Sequence, residues 1–234
     1  MQQVVLSLCD YTGNMVKPWA RAGYRCICVD TQHSVRSDRI QDMGRMQGNI
    51  TYVWGDVRSW CLPEDTEVAM LFAFPPCTDV AVSGARDFRK KRNILLRDAL
   101  ELFATCEMVA SYSGAPYMIE NPVGKFSSHM GSPTYTFDPC DYAGYEGGED
   151  DCYTKKTCLW TGGGFVMPEP KRREPTQGSI VTYGKIASPS PERQNLRSAT
   201  PAGFAQAVFE ANAVCEEAGW ELKNGAVPLQ AVSA

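Results

Sequence analysis

A cysteine follows two consecutive prolines in residues 74–77 of this chain, Phe-Pro-Pro-Cys, at the end of an apolar run. Two prolines fix the backbone and withhold two amide donors, so a preceding strand must stop and the next side chain is held rigidly. The thiol of Cys77, with the basic residues of 86–92 downstream to lower its pKa, is a candidate nucleophile, the alternative being a buried structural cysteine. A carboxyl group follows the next apolar run, in Glu120-Asn121-Pro122, and neighbouring strands would bring it to the same edge as Cys77.

Acidic side chains also follow the second and third apolar runs. Asp30 lies seventeen residues past Gly13, where a carboxylate can accept both hydroxyls of a ribose, and Asp56 is placed to accept from an adenine amino group. Ligands of open parallel sheets bind beyond the carboxyl ends of the strands. A helix cap or a loop carboxylate is the alternative for each acid. Taken together, the loop with Gly13 after the first strand and the acids after the second and third strands favour a ligand that contains adenosine.

A parallel sheet is needed to position these residues, and the first 120 residues carry its pattern. Short apolar runs predict strands at 4–8, 26–29, 51–54, 68–74 and 117–119. Apolar side chains recur every three or four residues from Leu96 to Ala110, which predicts an amphipathic helix of about five turns. We therefore expect an α/β fold, a Rossmann-like sheet with helices on both faces.

The pattern changes at residues 121–198, which are rich in Gly, Pro and Ser, and we expect loops and hairpins laid over one end of the sheet there. Regular structure returns at residue 200. A final helix is predicted with Thr200 as its N-cap and Pro201 in its first turn, continuing through Cys215 to a closing glycine at Gly219. This helix would pack the chain back onto the sheet.

With these motifs in this order, the chain resembles the cytosine carbon-5 DNA methyltransferases, which use S-adenosylmethionine. Residues 74–77 resemble their Pro-Pro-Cys nucleophile motif, and Glu120-Asn121 resembles their Glu-Asn-Val motif. Residues 155–160 are similar to their Gln-x-Arg-x-Arg strand, with Lys155 at the first Arg and Thr157 at the second. The likeness extends from about residue 4 to about residue 210 and implies a class I methyltransferase sheet.

The resemblance also implies roles for named residues. Cys77 would add to ring carbon 6 of cytosine, Glu120 would bind the exocyclic amine and ring nitrogen 3, and Lys155 could contact the carbonyl oxygen or a phosphate. S-adenosylmethionine would bind at Leu8, Cys9, Asp10, Tyr11, Gly13, Asp30, Asp56, Phe74 and Pro75. DNA, as a duplex with a flipped cytosine or as a single strand, would meet Ser83, Arg86, Arg89, Lys90, Lys91, Arg92, Lys156, Arg172 and Arg173.

The family inserts a larger target-recognition domain where this chain has only residues 162–196. We therefore expect a catalytic and cofactor-binding core at 1–160, a short target-recognition-like segment at 161–199, a helix and tail at 200–234, and low sequence specificity. RNA, a free nucleotide or a variant methyl donor are alternatives with the same fold. A protein that only binds nucleic acid or an adenosine metabolite is a further alternative.

The composition narrows the class of protein. With 23 basic and 27 acidic residues the net charge is −4, which excludes a strongly cationic nucleic-acid coat. No apolar run approaches the roughly 20 residues of a membrane span, and the first residues lack the layout of a secretory signal. The ten cysteines include no Cys-x-x-Cys pair, so disulfides and zinc ligation are not expected. We expect a cytoplasmic monomer without a metal.

Overall fold

The computed structural model describes residues 2–35, 38–44, 48–77, 93–178, 195, 198–216 and 219–222. Five parallel strands form its centre: β1 (Gln2–Leu8), β2 (Arg25–Asp30), β4 (Asn49–Trp54), β5 (Thr66–Ala73) and β6 (Tyr117–Pro122). The other strands are β3 (Arg39–Asp42), β7 (Tyr135–Phe137), β8 (Tyr153–Thr154), β9 (Thr157–Gly162), β10 (Gln177–Gly178), β11 (Ala213–Glu216) and β12 (Gly219–Leu222). All five strands predicted from the sequence are confirmed, with shifted ends.

The main sheet has eight strands in the order β3-β4-β2-β1-β5-β6-β9-β7. The chain thus starts at β1 in the middle of the sheet and continues through β2 to β3 and β4 on one side. It then returns to β5 on the other side of β1. This reversal beside β1 is the switch point at which open α/β sheets form a crevice beyond the carboxyl ends of their strands. The expected α/β class is confirmed, as a mixed and mostly parallel sheet consistent with a Rossmann-like arrangement.

The helices are α1 (Lys17–Arg21), α2 (Asn93–Ser113), α3 (Phe126–His129) and α4 (Ala202–Asn212), with 3-10 turns at Asn14–Val16 and Pro139–Asp141. The helix predicted around residues 96–110 is confirmed as α2. In the part of the chain that the structure describes, no helix is long and apolar enough to cross a membrane.

The expectation for residues 121–198 was wrong in one respect, because two of their segments belong to the main sheet. β9 pairs antiparallel with β6 along its whole length, and β7 pairs antiparallel with β9. Their pairing partners lie far away in the chain, so the local Gly- and Pro-rich composition did not reveal them. Because β9 is antiparallel, it begins at the edge where β6 ends, which brings Thr157 opposite Pro122.

Alternate side chains of β1 enter two separate cores. Val4, Leu6 and Leu8 pack on one face of the sheet with Phe103 and Cys106 of α2. Val5 packs on the other face in a cluster that includes α1 and α4 side chains, among them Trp19, Phe204 and Val208. Both faces are therefore covered, as a parallel sheet requires.

The predicted limits of the last helix were wrong at both ends. α4 begins at Ala202, and its N-terminal cap comes from a distant residue, because the Gly203 N–H donates to Asp151 Oδ2 at 2.8 Å. It ends at Asn212, whose Nδ2 donates to the carbonyls of Val208 and Val166. These side-chain bonds compete with the helical pattern. The chain continues as the extended strand β11, which pairs with β12.

Candidate active site

The Pro-Pro-Cys segment and the Glu-Asn segment are joined by a buried hydrogen bond. Asn121 Nδ2 donates to the carbonyl oxygen of Pro75 at 2.6 Å. The two segments meet because β5 and β6 are parallel neighbours, with Ala73 opposite Ile119, so that their carboxyl ends lie at the same edge. The remaining amide atom, Asn121 Oδ1, is also buried and has no hydrogen-bond partner among the described residues.

Glu120 lies in a small cleft beside this bond, whose free volume of about 10 Å³ has room for about one water molecule. Its walls come from β6, β7, β9 and α4, and from the segments that follow β5 and precede β9 and α4. They are formed by Phe74, Glu120, Phe137, Lys155, Thr157, Ala199, Thr200, Pro201 and Phe204. Three of these side chains are aromatic, and Phe137 and Phe204 stack with their ring centres 4.0 Å apart.

One oxygen of the Glu120 carboxyl group is withdrawn from water. This atom, Oε1, is fully enclosed and has no hydrogen-bond partner among the described residues. This burial raises the pKa of Glu120 above its ordinary value of 4.5, and the positive charge of Lys155 acts in the opposite direction. A buried carboxyl with a raised pKa can hold a proton and donate it, which suits a general acid.

Lys155 reaches the cleft because of how β9 starts. The backbone of Thr157 pairs with Pro122 of β6 on one side and with Phe137 of β7 on the other. The Thr157 hydroxyl donates to the carbonyl oxygen of Lys155 at 2.8 Å, which fixes the turn before the strand. The hydroxyl at this position is therefore engaged with the backbone, and Lys155 supplies the positive charge.

Cys77 lies close to these motifs in the chain but on a different side of them. Its side chain is partly buried and packs against the apolar cluster of the α2 face. It is not among the residues that line the Glu120 cleft. The Asn121–Pro75 bond fixes the backbone two residues before it. The structure thus brings Glu120, Lys155 and Phe74 into one cleft, and leaves Cys77 beside it.

The loop after β1 is held in shape by Asp10. The buried Asp10 carboxylate accepts from the Ser7 hydroxyl at 2.7 Å and from the Gly13 N–H at 2.7 Å. Gly13 has a left-handed φ of 66°, and a Cβ atom there would lie 2.7 Å from the Tyr52 hydroxyl. Only glycine fits this turn, so the loop passes close to the Tyr52 side chain of β4.

Cys9, the cysteine of this loop, is less suited to nucleophilic attack than Cys77. Cys9 has a φ of 54° and lies at the end of β1. A hydrogen bond with the Cys106 thiol, together with burial, raises the pKa of the Cys9 thiol well above its usual value. Cys9 therefore stays a neutral thiol at physiological pH.

The two acids predicted to hold adenosine have different surroundings. Asp30 is buried, and its Oδ1 accepts from the Gln32 N–H at 2.8 Å. Burial raises the pKa of the Asp30 carboxyl. Asp56 is more exposed and pairs with Arg58, whose Nη2 lies 2.6 Å from Oδ2. The hydrogen bonds from Arg58 hold the pKa of Asp56 below its ordinary value. A ligand at Asp56 would have to share the carboxylate with Arg58.

Aromatic side chains stand beside the same loop. Tyr11 is partly exposed and stacks on His33, with the ring centres 5.4 Å apart. His33 Nε2 lies 3.2 Å from the carbonyl oxygen of Asp10, and the His33 ring packs edge-on against Tyr52. The stacked Tyr11–His33 pair thus lies beside the loop that Asp10 and Gly13 shape.

Most of the predicted nucleic-acid contacts cannot be placed. Ser83, Arg86, Arg89, Lys90, Lys91 and Arg92 lie outside the described residues. Lys156 is exposed, and so is Arg173, whose backbone N–H donates to the Cys140 carbonyl. Arg172 forms an ion pair with Asp141. The described part of the target-recognition-like segment is thus tied to the region around Cys140.

Several residues of the site were not singled out from the sequence. Phe137 comes from a three-residue strand with no strong local signal. Phe204 falls within the last helix that the sequence predicts, but no role at the site was assigned to it. Asn121 was noted as part of a motif, without its bond to Pro75. Among the described residues, no group of three His, Cys, Asp or Glu side chains could hold a metal ion. No model of a known protein family matches the chain, and no curated protein sequence matches it.

Proposed function

We propose that this protein transfers a methyl group from S-adenosylmethionine to carbon 5 of cytosine in DNA, with low sequence specificity. The proposal includes the finer fold, a class I methyltransferase sheet. The observation that supports it most strongly is the 2.6 Å bond from Asn121 to Pro75, which joins the two motifs that the reaction needs. The enclosed carboxyl of Glu120 beside that bond supports it further.

Cysteine chemistry is required because carbon 5 of cytosine is a weak nucleophile. In the proposed reaction the Cys77 thiolate forms a bond to ring carbon 6, and the electron pair moves to carbon 5. Carbon 5 then takes the methyl group, and the donor leaves without it. Loss of the proton from carbon 5 and departure of the thiolate restore the aromatic ring. The net change exchanges one proton for one methyl group.

Glu120 and Lys155 would act on the base in its cleft. A protonated Glu120 can donate to ring nitrogen 3 and accept from the exocyclic amine, which lowers the energy of the adduct. The raised pKa of Glu120 supports this role, because it keeps more of the carboxyl protonated near neutral pH. Lys155, in the same cleft, can contact the carbonyl oxygen of the base.

The methyl donor supplies an electrophilic methyl group next to a ribose and an adenine. Asp30 would accept from the ribose hydroxyls, and the loop of residues 8–13 would hold the amino acid part. Asp56 would accept from the adenine while it keeps its bond to Arg58. These are proposed contacts, and the tight turn at Gly13, with its left-handed φ, is the structural feature that supports them.

One observation favours a second candidate function, a protein that binds a nucleobase without modifying it. Cys77 packs against the α2 face and does not line the Glu120 cleft. A binding protein would need Glu120 and Lys155 but no thiolate near the base. The two candidates therefore differ in whether Cys77 forms a covalent bond.

DNA that contains 5-fluorocytosine tests this bond, because fluorine cannot leave as a cation and the adduct cannot collapse. With S-adenosylmethionine present, we expect a protein–DNA species that survives denaturing electrophoresis. Cys77→Ser should abolish it, whereas Cys61→Ser, a change at an exposed cysteine, should not. Glu120→Gln should slow its formation by about 10²-fold or more, as for a lost general acid.

Other results of the same experiment separate the alternatives. An adduct formed on RNA of the same sequence, and not on DNA, would identify RNA as the substrate. Noncovalent binding of cytosine DNA without any adduct would support the binding protein. An adduct that persists in Cys77→Ser would assign the nucleophile to another thiol and refute the role of Cys77.

A further inference from the structure

Two titratable side chains share the cleft, and they carry opposite charges. Of the nine described residues that line it, Glu120 and Lys155 are the only ones that ionise. The other lining residues are aromatic, aliphatic or hydroxylated, so they offer no further charge. Phe74, Phe137 and Phe204 give the cleft apolar walls, and charges beside apolar groups are screened less than charges in bulk water.

The surroundings of Glu120 act on it in two opposed ways. Enclosure of Oε1 without a partner among the described residues penalises the carboxylate and favours the neutral acid. The ammonium group of Lys155 favours the carboxylate. A general acid must release its proton and recover it in each turnover, so the balance of these two effects decides how well it works.

We propose that Lys155 is a positioning residue that controls how readily Glu120 releases its proton, in addition to any contact it makes with a bound base. This inference rests on the proposed function for its catalytic meaning, but the coupling of the two side chains does not. The turn that holds Lys155 is fixed by the Thr157 hydroxyl, so the ammonium group is supplied from a defined position at the start of β9.

Among the described residues, the elements packed around Glu120 present few other titratable groups to it. The side chains that reach the cleft from β7, from α4 and from the segment after β5 are uncharged. They include Phe137, Phe204 and Phe74. On β9, the buried thiol of Cys158 lies opposite Asn121. Burial raises the pKa of this thiol, and the charge of Glu120 adds to that rise. Lys156 is exposed and does not line the cleft. Lys155 is thus the cation that acts on Glu120 among the described residues of the cleft.

The test is a titration of Glu120 itself. The protein is labelled with ¹³C at the glutamate side-chain carboxyl, and the Glu120 signal is assigned by its loss in Glu120→Gln. In Lys155→Met we expect the midpoint of this signal to rise by about one pH unit or more, as when an opposite charge within about 4–6 Å is removed. Lys155→Arg should keep the wild-type midpoint, and so should Lys156→Met, which removes a neighbouring but exposed lysine.

An unchanged Glu120 midpoint in Lys155→Met would overturn the inference. Lys155→Gln is the second variant, for use if the methionine variant does not fold, and it should give the same rise. A matching rise in Lys156→Met would also overturn it, because the effect would then be one of general surface charge.

A second measurement separates this inference from the proposed function. The rate of adduct formation on 5-fluorocytosine DNA is followed against pH, and its basic limb should move upward in Lys155→Met by the same interval as the titration midpoint. If no variant forms an adduct but the midpoint moves, the proposed function fails and the coupling holds. If adducts form but neither quantity moves, the coupling fails and the proposed function holds.

Discussion

The amide of Asn121 donates to the carbonyl oxygen of Pro75 at 2.6 Å, across 46 positions of the chain. Both groups are buried, so neither can exchange this partner for water. The bond fixes the backbone beyond β5 relative to the end of β6. It therefore ties the position of Cys77, two residues after Pro75, to that of Glu120, the neighbour of Asn121.

Loss of this bond should affect both stability and chemistry. Asn121→Ala leaves the Pro75 carbonyl buried without its donor, and we expect a loss of about 1–3 kcal/mol in the free energy of unfolding, measured with urea. The rate of 5-fluorocytosine adduct formation should fall as well. Asn212→Ala is the matched control, because it removes another amide that binds backbone groups. It should reduce stability and leave the adduct rate unchanged. Equal adduct rates in Asn121→Ala and wild type would refute the link.

The acid at the end of β2 should dominate donor binding. In the proposed complex Asp30 accepts from the ribose, and hydrogen bonds to a charged group are worth about 1.5–3 kcal/mol. Asp30→Ala should therefore raise the Kd for S-adenosylmethionine about tenfold or more. Asp56→Ala should cost less, since Arg58 already occupies that carboxylate. Titration calorimetry measures both. The absence of any heat with the wild-type protein would reject the assignment of the donor.

The remote cap of α4 can be tested by stability alone. Asp151→Ala removes the acceptor of the Gly203 N–H, and N-cap losses cost about 0.5–2 kcal/mol. Asp151→Asn keeps an acceptor oxygen and should lose less. Asp150→Ala, at the exposed neighbouring residue, should change the urea midpoint little. If Asp150→Ala and Asp151→Ala lose the same stability, the contribution of the cap is disproved.

Burial of Glu120 should make stability depend on pH. Its pKa in the folded protein is raised above 4.5, so the folded state holds the proton more tightly than the unfolded chain. The resulting stabilisation is complete below pH 4.5 and is lost as the pH rises through the folded pKa. Glu120→Gln lacks this loss, so it should gain stability relative to wild type over that interval, by about 1.4 kcal/mol for each unit between the two pKa values.

Urea unfolding of both proteins at a series of pH values measures this difference. Glu64→Gln, at an exposed glutamate, is the control and should track the wild type throughout. A constant difference between Glu120→Gln and wild type from pH 4 to pH 8 would argue that Glu120 titrates normally.

Much of the fold could be predicted because its signals are local. Each parallel strand is a short apolar run, and α2 repeats its apolar residues at helical spacing, so neighbouring residues alone indicated both. The prolines of residues 74–77 end a strand wherever it lies. The acids Asp30 and Glu120 could be placed at the carboxyl edge for the same reason, since each follows a run that is already recognisable as a strand.

The rest depended on contacts between distant residues. No local sequence pattern predicts that β9 runs antiparallel to β6. That direction nevertheless places Lys155 and Glu120 in the same cleft. The cap of α4 comes from Asp151 because a backbone N–H takes whichever buried acceptor the fold brings to it, and Thr200 was only the nearest in sequence. The sequence by itself thus determined which segments form strands and helices and which residues end them. The tertiary structure decided which of those residues meet, because pairing across the sheet and burial in a shared cleft are properties of the whole packed chain.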